Sequence, residues 1–203
     1  QIDLSQQEPA SAALNSLAPA IPFPFSGEAD VDEVLPKVSV EWNVTDSILT
    51  YLTYSEGIRN GNVNGNIGGF VVRTGATPET VEEIASYGPE FVESYELGFK
   101  GSFLDEMLTI NAAVFETDIN DVQGTAQIVD PATGQVAGAV ANIGDGGTDG
   151  FEFEAFFSPN ENWNLFAGAN WVDAEMDSIV ASPLLAVSVL PGQRMPFIPD
   201  MTY

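Results

Sequence analysis

The sequence contains no cysteine and no histidine. A Ser-His-Asp triad, a cysteine nucleophile, a haem-binding histidine and the usual zinc ligands are excluded, because each needs one of these side chains. Basic residues are also scarce, since five Lys and Arg stand against 30 Asp and Glu, for a formal net charge of -25. A phosphate backbone requires a basic surface on its partner. We therefore expect no nucleic-acid partner, and nothing in the composition indicates a cofactor.

Long apolar runs are absent too. No stretch approaches the roughly 18 to 20 uninterrupted apolar residues of a membrane-spanning helix. Yet 44% of the residues are hydrophobic, so the low hydrophobicity that accompanies disorder is missing. A strand of a membrane barrel needs only about 10 residues, of which every second one is apolar. We therefore expect the chain to fold, and its composition is compatible with a β-protein embedded in a membrane.

Alternation of apolar and polar residues is the main pattern of the chain, and a period of two predicts strands with one apolar face. The second of these strands has mixed faces that the pattern does not assign. A seventh strand is weak, because Pro196 and Pro199 interrupt it. The predicted strands cover 37–44, 48–55, 94–103, 108–122, 151–157, 163–171 and 194–203.

The connections between these strands alternate in length. Short turns at 45–47, 104–106 and 158–161 alternate with long insertions at 56–91, 123–148 and 174–192. In an up-and-down meander, all short turns then lie at one end and all long insertions at the other. Short periplasmic turns and long extracellular loops are typical of outer-membrane barrels. We therefore predict an all-β section, of about six to seven antiparallel strands, of a large transmembrane up-and-down β-barrel.

Finer features fall inside these connections. Residues 1–35 are irregular and acidic, and we interpret them as one more extracellular loop segment, followed by barrel strands in 36–203. Thr77 and Pro78 suit the start of a short helical turn that continues to Ile84. Asp130–Gly134 carries turn residues between two short β-like runs, which predicts a hairpin that projects beyond the main sheet.

Aromatic residues lie at both ends of the predicted strands. In a barrel they would form two girdles about 25 Å apart, flanking an apolar band. The competing interpretation makes them core residues of a soluble β-sandwich. The aromatic residues in question are Trp42, Phe103 and Trp163 beside the short turns, and Tyr54, Tyr95 and Trp171 at the opposite ends.

The ordered series of segments from about residue 35 to 198 resembles the TonB-dependent outer-membrane receptors. The similarity begins with Leu-Pro-Lys and continues with a Tyr-Leu-Thr-Tyr-Ser-Glu-Gly-Ile-Arg run that leads into a Gly- and Asn-rich loop. It marks a late section of the receptor barrel. The segments that carry it are Leu35–Trp42, Leu49–Gly61, Glu93–Asp105, Leu108–Phe115, Asn142–Glu154 and Leu190–Pro196.

The resemblance implies a barrel of roughly 22 strands with a plugged lumen, of which this chain supplies six or seven. We expect the plug domain to be absent from this chain. The implied function is active uptake of a scarce ligand, such as an iron-siderophore complex, cobalamin or an oligosaccharide, with no chemistry on the ligand. The implied partners are outer-membrane lipid and lipopolysaccharide, TonB acting through the plug, and the small-molecule ligand. The implied location is the bacterial outer membrane.

Ligand-binding candidates follow from the polar residues of the first insertion. Arg59 could contact an anionic ligand, and Asn60, Asn62 and Asn64 could hydrogen-bond a sugar or a siderophore. The competing interpretation is structural, because Arg59 lies at a strand-to-loop junction that recurs in the family. Asn and Gly are also the residues that positive φ angles favour.

Charged residues of the strands form the second group of candidates. Glu152 and Glu154 share a strand face, and we expect them to face the lumen, because a charge on the lipid side costs about 1 to 4 kcal/mol. Glu96 and Lys100 face the same way and are expected to pair. Paired catalytic carboxylates are the alternative for Glu152 and Glu154, and loss of hydrolysis on their neutralisation would support a glycosidase.

Asp145 and Asp149 form a weak calcium candidate in a glycine-rich turn, because carboxylates and carbonyl oxygens are the ligands that calcium prefers. The turn lacks the ligand series of an EF-hand. We expect neither a catalytic residue nor a firm metal site. Two alternative functions stay open beside the receptor, namely a passive porin and a secreted soluble β-sandwich used in adhesion.

Overall fold

The computed structural model describes residues 32–65, 84–129, 134–182, 185–195 and 201–202. Across these ranges, no helix is long and apolar enough to cross a membrane. Twelve strands are described. In chain order they are β1 (Lys37–Thr45), β2 (Ile48–Arg59), β3 (Asn62–Val63), β4 (Ser86–Tyr87), β5 (Glu90–Phe103), β6 (Leu108–Asn120), β7 (Gln123–Val129), β8 (Val136–Asn142), β9 (Gly146–Asn160), β10 (Trp163–Met176), β11 (Leu185–Ala186) and β12 (Met201–Thr202).

Seven of the strands form one antiparallel sheet in the order β1-β2-β5-β6-β9-β10-β12, which we call the main sheet. The predicted meander is confirmed, including the weak seventh strand, since Thr202 pairs with Asn170 of β10. The strands are longer than predicted at the insertion end. β2 runs on to Arg59, and β9 begins at Gly146, because backbone pairing continues there although the alternation of apolar residues stops.

The register places most of the apolar residues of the main sheet on one face, with exceptions on the other that include Leu49, Phe115 and the contacting pair Phe156 and Phe166. Val40 is opposite Leu52, Leu52 opposite Leu97, and the same row continues through Val114, Phe151 and Trp171. These side chains are largely exposed, with Val40 at 64% and Leu97 at 55%. We call this the apolar face and its reverse the polar face. The register also assigns β2, whose Leu52 and Tyr54 lie on the apolar face.

The apolar face becomes acidic toward the insertion end. Glu116, Asp149 and Asp173 are direct cross-strand neighbours in β6, β9 and β10, and Glu56 is directly opposite Glu93 one row further out. The alternation alone does not predict these rows, because they depend on the register between strands.

Aromatic residues mark both ends of the apolar band. Tyr54 and Tyr95 are in contact, with ring centroids 5.0 Å apart, and Phe99 stacks on Phe103 at 6.3 Å. Tyr95 and Phe103 are eight residues apart on one strand face, which corresponds to about 26 Å along the strand. This spacing agrees with the predicted separation of two girdles.

The turn between β5 and β6 has an uncommon backbone. Leu104, Asp105 and Glu106 all have positive φ angles, of 56°, 53° and 66°. Left-handed residues other than glycine are disfavoured, because Cβ approaches the following carbonyl oxygen. The third predicted turn lies slightly later than expected, at residues 161–162, since β9 continues to Asn160.

The described parts of the three insertions form a second body, which we call the cap and which comprises β3, β4, β7, β8 and β11 with their connections. β7 and β8 make the predicted hairpin, whose turn residues 130–133 lie outside the described residues. Residues 66–83, with the predicted start of the helical turn, also lie outside them. β11 adds a third strand to β7. The cap packs around a small core of Ala126, Ala141, Ile143 and Met176, of which Met176 is the last residue of β10, with Val122, Leu185, Val187, Val189 and Met195 packed against it.

Candidate functional site

Tyr51 is the centre of the polar face between β2 and β5. It lies directly opposite Gly98, and a Cβ added to Gly98 would come within 2.0 Å of Tyr51 Cζ. The missing side chain therefore lets the ring lie across the backbone of β5. The Tyr51 hydroxyl donates a hydrogen bond to Glu96 Oε1 at 2.5 Å. Lys100 Nζ lies 5.6 Å from the ring centroid, within the range of a cation–π contact.

Glu96 and Lys100 face the same way, as predicted, but they do not form the expected ion pair. The ion pairs of the described residues are Arg59 with Glu90 and Arg194 with Asp173. The physical reason is the position of Tyr51, which is opposite the residue midway between Glu96 and Lys100 and contacts both side chains.

A groove of about 400 Å³ surrounds Tyr51 on the polar face. Its floor and walls combine two lysines, two carboxylates and several hydroxyl groups. Two of the hydroxyl pairs bridge neighbouring strands, with Ser39 Oγ 2.9 Å from Thr53 Oγ1 and Ser94 Oγ 3.0 Å from Thr117 Oγ1. The groove can thus hydrogen-bond and orient a polar ligand. The charged residues that line it are Lys37, Glu41, Glu96 and Lys100.

Glu152 and Glu154 lie on the polar face of β9, on the same side of the sheet as Tyr51, and both are exposed. Glu154 accepts a hydrogen bond of 3.4 Å from Asn111 Nδ2. Glu152 lies between Ala113 of β6 and Asn170 of β10. The two carboxylates extend the polar surface away from the groove.

Asn64, a predicted ligand-binding residue, is buried in the cap. Its side chain is 6% exposed. Its amide nitrogen donates to the carbonyl oxygens of Ile84 and Val140, at 3.0 and 2.8 Å, and its oxygen accepts from the Val140 N–H at 3.0 Å. All its donors and an acceptor are therefore engaged with backbone from two different insertions.

Two further amides join the insertions to one another. The Gln123 amide nitrogen donates to the carbonyl oxygens of Arg59, Asn60 and Gly88. Asn142 binds both the N–H and the carbonyl of Gly88, at 2.7 and 3.2 Å, and donates to the Asp121 carbonyl at 2.7 Å. No periodic pattern predicts these contacts, because each amide reaches backbone distant in the chain.

Arg59, Asn60 and Asn62 lie together where β2 leads into the cap. The Arg59 side chain is 64% exposed and lies 3.9 Å from Glu90. The Asn60 side chain is exposed, whereas Asn62 accepts a hydrogen bond from the N–H of Val63. None of the three has a positive φ angle, so the explanation of these asparagines by positive φ is wrong. The side chains of Arg59 and Asn60 are therefore both accessible to solvent.

Asp145 and Asp149, the calcium candidates, have different surroundings. Asp145 accepts hydrogen bonds from the Asp121 N–H at 3.0 Å and the Ser178 hydroxyl at 2.9 Å, and so joins the second insertion to the third. Asp149 lies on the apolar face, opposite Glu116. Within the described ranges, no group of three or more His, Cys, Asp or Glu is arranged to hold a metal ion.

Comparison with known proteins gives the context for this geometry. Residues 6–203 match the family model described as TonB dependent receptor-like, beta-barrel. The chain belongs to this family. Members of the TonB-dependent receptor family are bacterial outer-membrane proteins with a β-barrel, and the antiparallel main sheet is a section of such a barrel.

The individual relatives agree. The chain is 26% identical over 192 residues to the probable TonB-dependent siderophore receptor PiuA of Acinetobacter baumannii, with 93% of this chain and 24% of that protein covered. The ferric yersiniabactin uptake receptor FyuA of Yersinia pestis has a similar fold, with a TM-score of 0.57, 22% identity, and 83% of this chain and 22% of that chain covered. The structure of PiuA matches with a TM-score of 0.56 and 22% identity, over 81% of this chain and 22% of that one. The chain thus spans about a quarter of the length of these relatives.

Proposed function

We propose that this chain forms an arc of the barrel wall of a TonB-dependent receptor that takes up a ferric siderophore across the outer membrane. The observation that carries the proposal is one sheet with an exposed apolar face and, on its reverse, a polar groove centred on Tyr51. Membership of the receptor family supports the same assignment. The apolar face would contact lipid, and the polar face would line the ligand path.

The charges support this orientation. Level with the apolar band, Glu41, Glu96, Glu152 and Glu154 all lie on the polar face, whereas the carboxylates of the apolar face, such as Glu116 and Asp149, lie beyond the band at its insertion end. A charge in contact with lipid costs about 1 to 4 kcal/mol depending on depth, whereas a water-filled lumen hydrates it. A soluble sandwich would instead bury the apolar face, and Trp42, at 67% exposure, shows no such cover.

The cap would lie at the cell surface, where Arg59 and Asn60 meet incoming ligand before it reaches the groove. The plug that contacts TonB would come from other parts of the polypeptide, and lipopolysaccharide would surround the outer end of the wall. Relatives described as siderophore receptors support a siderophore as ligand. Cobalamin and oligosaccharides, the other ligands that the resemblance suggested, lack such support.

Uptake by the complete receptor that contains this chain tests the proposal. Cells that lack other siderophore receptors are supplied with labelled ferric siderophores, with and without TonB. We expect accumulation that requires both the receptor and TonB. Accumulation that persists without TonB would instead indicate the passive porin.

Single cysteines test the orientation separately. Glu152 and Phe151 are adjacent in β9 but face opposite ways, so a water-soluble maleimide should label Glu152→Cys and spare Phe151→Cys in intact outer membranes. A lipid-soluble probe should show the reverse preference. Inverted labelling would contradict the assignment of the two faces, whatever the uptake assay shows.

A further inference from the structure

Two of the five basic residues of this chain lie in the groove around Tyr51. Lys37 lies opposite Ser55, at the end of the groove nearest the cap. Lys100 lies opposite Leu49, at the end nearest the short turns. Ser55 and Leu49 are six residues apart on β2, which corresponds to about 20 Å along the strand. The groove is therefore a long polar channel with an ammonium group toward each end.

The ammonium group of Lys100 is held beside the Tyr51 ring. This ring lies across the backbone of Gly98, where a Cβ would come within 2.0 Å of it, and its hydroxyl donates a hydrogen bond to Glu96. These two contacts fix the ring, and the ring attracts Lys100 Nζ, which lies 5.6 Å from its centroid. The ammonium therefore has a defined position within the groove.

No carboxylate of the described residues neutralises this ammonium. The direct cross-strand neighbours of Lys100 are Leu49 and Asn111, and neither is charged. Glu96 lies on the same face of β5, but it accepts the hydrogen bond of Tyr51 and forms no ion pair with Lys100. Because an ammonium group offers three hydrogen-bond donors, an anion from outside the described residues can bind here.

The acidic residues of the polar face restrict where such an anion can bind. Glu41 lines the groove opposite Tyr51, and Glu152 and Glu154 lie beyond the groove on β9. A carboxylate of a ligand is repelled by these side chains and attracted by Lys100, so both effects favour the same position. The hydroxyl groups along the middle of the groove can hydrogen-bond the neutral part of the same ligand.

We infer that the groove selects ferric siderophores that carry a free carboxylate, and that Lys100 binds this carboxylate. The inference rests on the proposed function, because it names the class of siderophore that the same groove takes. Lys100 donates charge-assisted hydrogen bonds to the carboxylate, and the Tyr51 ring holds the ammonium for this contact. Since Lys100 lies at the end of the groove away from the cap, the contact follows capture at the cell surface.

Binding of three matched ferric complexes to the purified complete receptor tests the inference. The probes are one linear trihydroxamate siderophore whose terminal amine is left free, acetylated or succinylated. The same iron centre then carries an ammonium, a neutral amide or a carboxylate, and quenching of intrinsic fluorescence measures each dissociation constant. We expect the succinylated complex to bind about tenfold more tightly than the acetylated one, and the free amine to bind most weakly. Equal affinities, a preference for the amine or no binding of any of the three would overturn the inference.

Variants of the two lysines assign the contact, with the ratio of the dissociation constants of the acetylated and succinylated complexes as the readout. Lys100→Met keeps the length of the side chain and removes its charge, so this ratio should fall to about one, and Lys100→Arg should restore most of it. Lys37→Met is the matched control, because it removes the same charge from the other end of the groove, and it should lower the ratio less. Asp46→Asn, in the short turn outside the groove, should leave the ratio unchanged.

Two results from these variants would contradict the contact at Lys100. An equal loss in Lys37→Met would show that the net charge of the groove attracts the ligand from a distance. An unchanged ratio in Lys100→Met would show that the ammonium binds another part of the polypeptide.

Tyr51 is a positioning residue in this scheme, and its variant has a separate readout. Tyr51→Leu should lower the ratio by about threefold, because the ammonium loses its aromatic neighbour. A purely structural role of Tyr51 would instead weaken both complexes equally and leave the ratio unchanged. Uptake of unrelated ferric siderophores, with and without TonB, is measured in parallel, so that a failure of carboxylate selection is distinguished from a failure of the receptor function.

Discussion

The main sheet and the cap are stabilised in different ways. The main sheet leaves its apolar side chains exposed. Within this chain it is held together mainly by backbone hydrogen bonds between neighbouring strands. The cap buries a small core that Met176 of β10 completes, and uses side-chain amides to bind distant backbone. The apolar face of the main sheet therefore has no cover from the described residues of this chain, whereas the core side chains of the cap are covered by other residues of the chain.

The largest expected effect concerns the main sheet outside a membrane and without further strands. Residues 1–203 expressed alone should aggregate, because the sheet edges expose backbone groups that cost several kcal/mol each when unpaired in hydrocarbon. Size-exclusion chromatography and circular dichroism measure the outcome. A soluble monomer that unfolds cooperatively would show that the sheet does not depend on its surroundings.

Asn64→Leu should unfold the cap and spare the main sheet. It removes three hydrogen bonds, one buried and two partly buried, and leaves the Val140 N–H and the carbonyl groups of Ile84 and Val140 without these partners, at a cost of about 3 kcal/mol or more. Hydrogen exchange of the complete receptor should become faster in β7 and β8 and stay unchanged in β5 and β6.

Asn60→Leu is the matched control, because the Asn60 side chain is exposed and only its carbonyl takes part in the clasp by Gln123. It should leave exchange in the cap unchanged. If Asn64→Leu also accelerated exchange in the main sheet, the two regions would be a single cooperative unit.

Gly98→Ala should disturb the groove without affecting the cap. The new methyl group would lie 2.0 Å from Tyr51 Cζ, so the ring must swing away and lose its hydrogen bond to Glu96, at a cost of about 1 to 3 kcal/mol. Ligand affinity, measured by titration, should fall by about tenfold or more. Gly57→Ala is the control, since its methyl group meets Val92 Cβ at an ordinary 3.7 Å.

The smallest expected effect is a gain in stability at the turn between β5 and β6. Glu106→Gly should raise the free energy of unfolding by about 1 kcal/mol, because glycine adopts a φ of 66° without steric cost. Gly134→Ala in the cap, where φ is 68° and space is open, should have the opposite sign. Denaturant unfolding of the complete receptor measures the first, and exchange in β7 and β8 the second. A loss of stability in Glu106→Gly would contradict the left-handed turn.

The main sheet can be predicted from the sequence better than the cap, because the two regions are stabilised by different kinds of contact. A strand with one apolar face has apolar residues at every second position, so the sequence predicts that Val40, Leu97 and Phe153 share a face, and the register confirms it. No such pattern marks the amides of Asn64, Gln123 and Asn142. Each is a single side chain that binds backbone distant in the sequence, and a single residue does not form a periodic pattern. The sequence therefore predicts a ligand-binding role for Asn64 and does not predict its hydrogen bonds to Ile84 and Val140. The opposition of Glu116 and Asp149 also needs the register between strands, which alternation within each strand does not contain.

The hydrogen bonds that side-chain amides make between the insertions have a thermodynamic consequence for the proposed capture of a ligand. Separate loops that close around a ligand each lose conformational entropy at that moment, which weakens binding. The described insertions are already joined through Asn64, Gln123 and Asn142, so most of that entropy is lost during folding. If the cap captures ligand as proposed, binding should therefore show a small entropic penalty and a fast association, and differences in affinity should come from the dissociation rate.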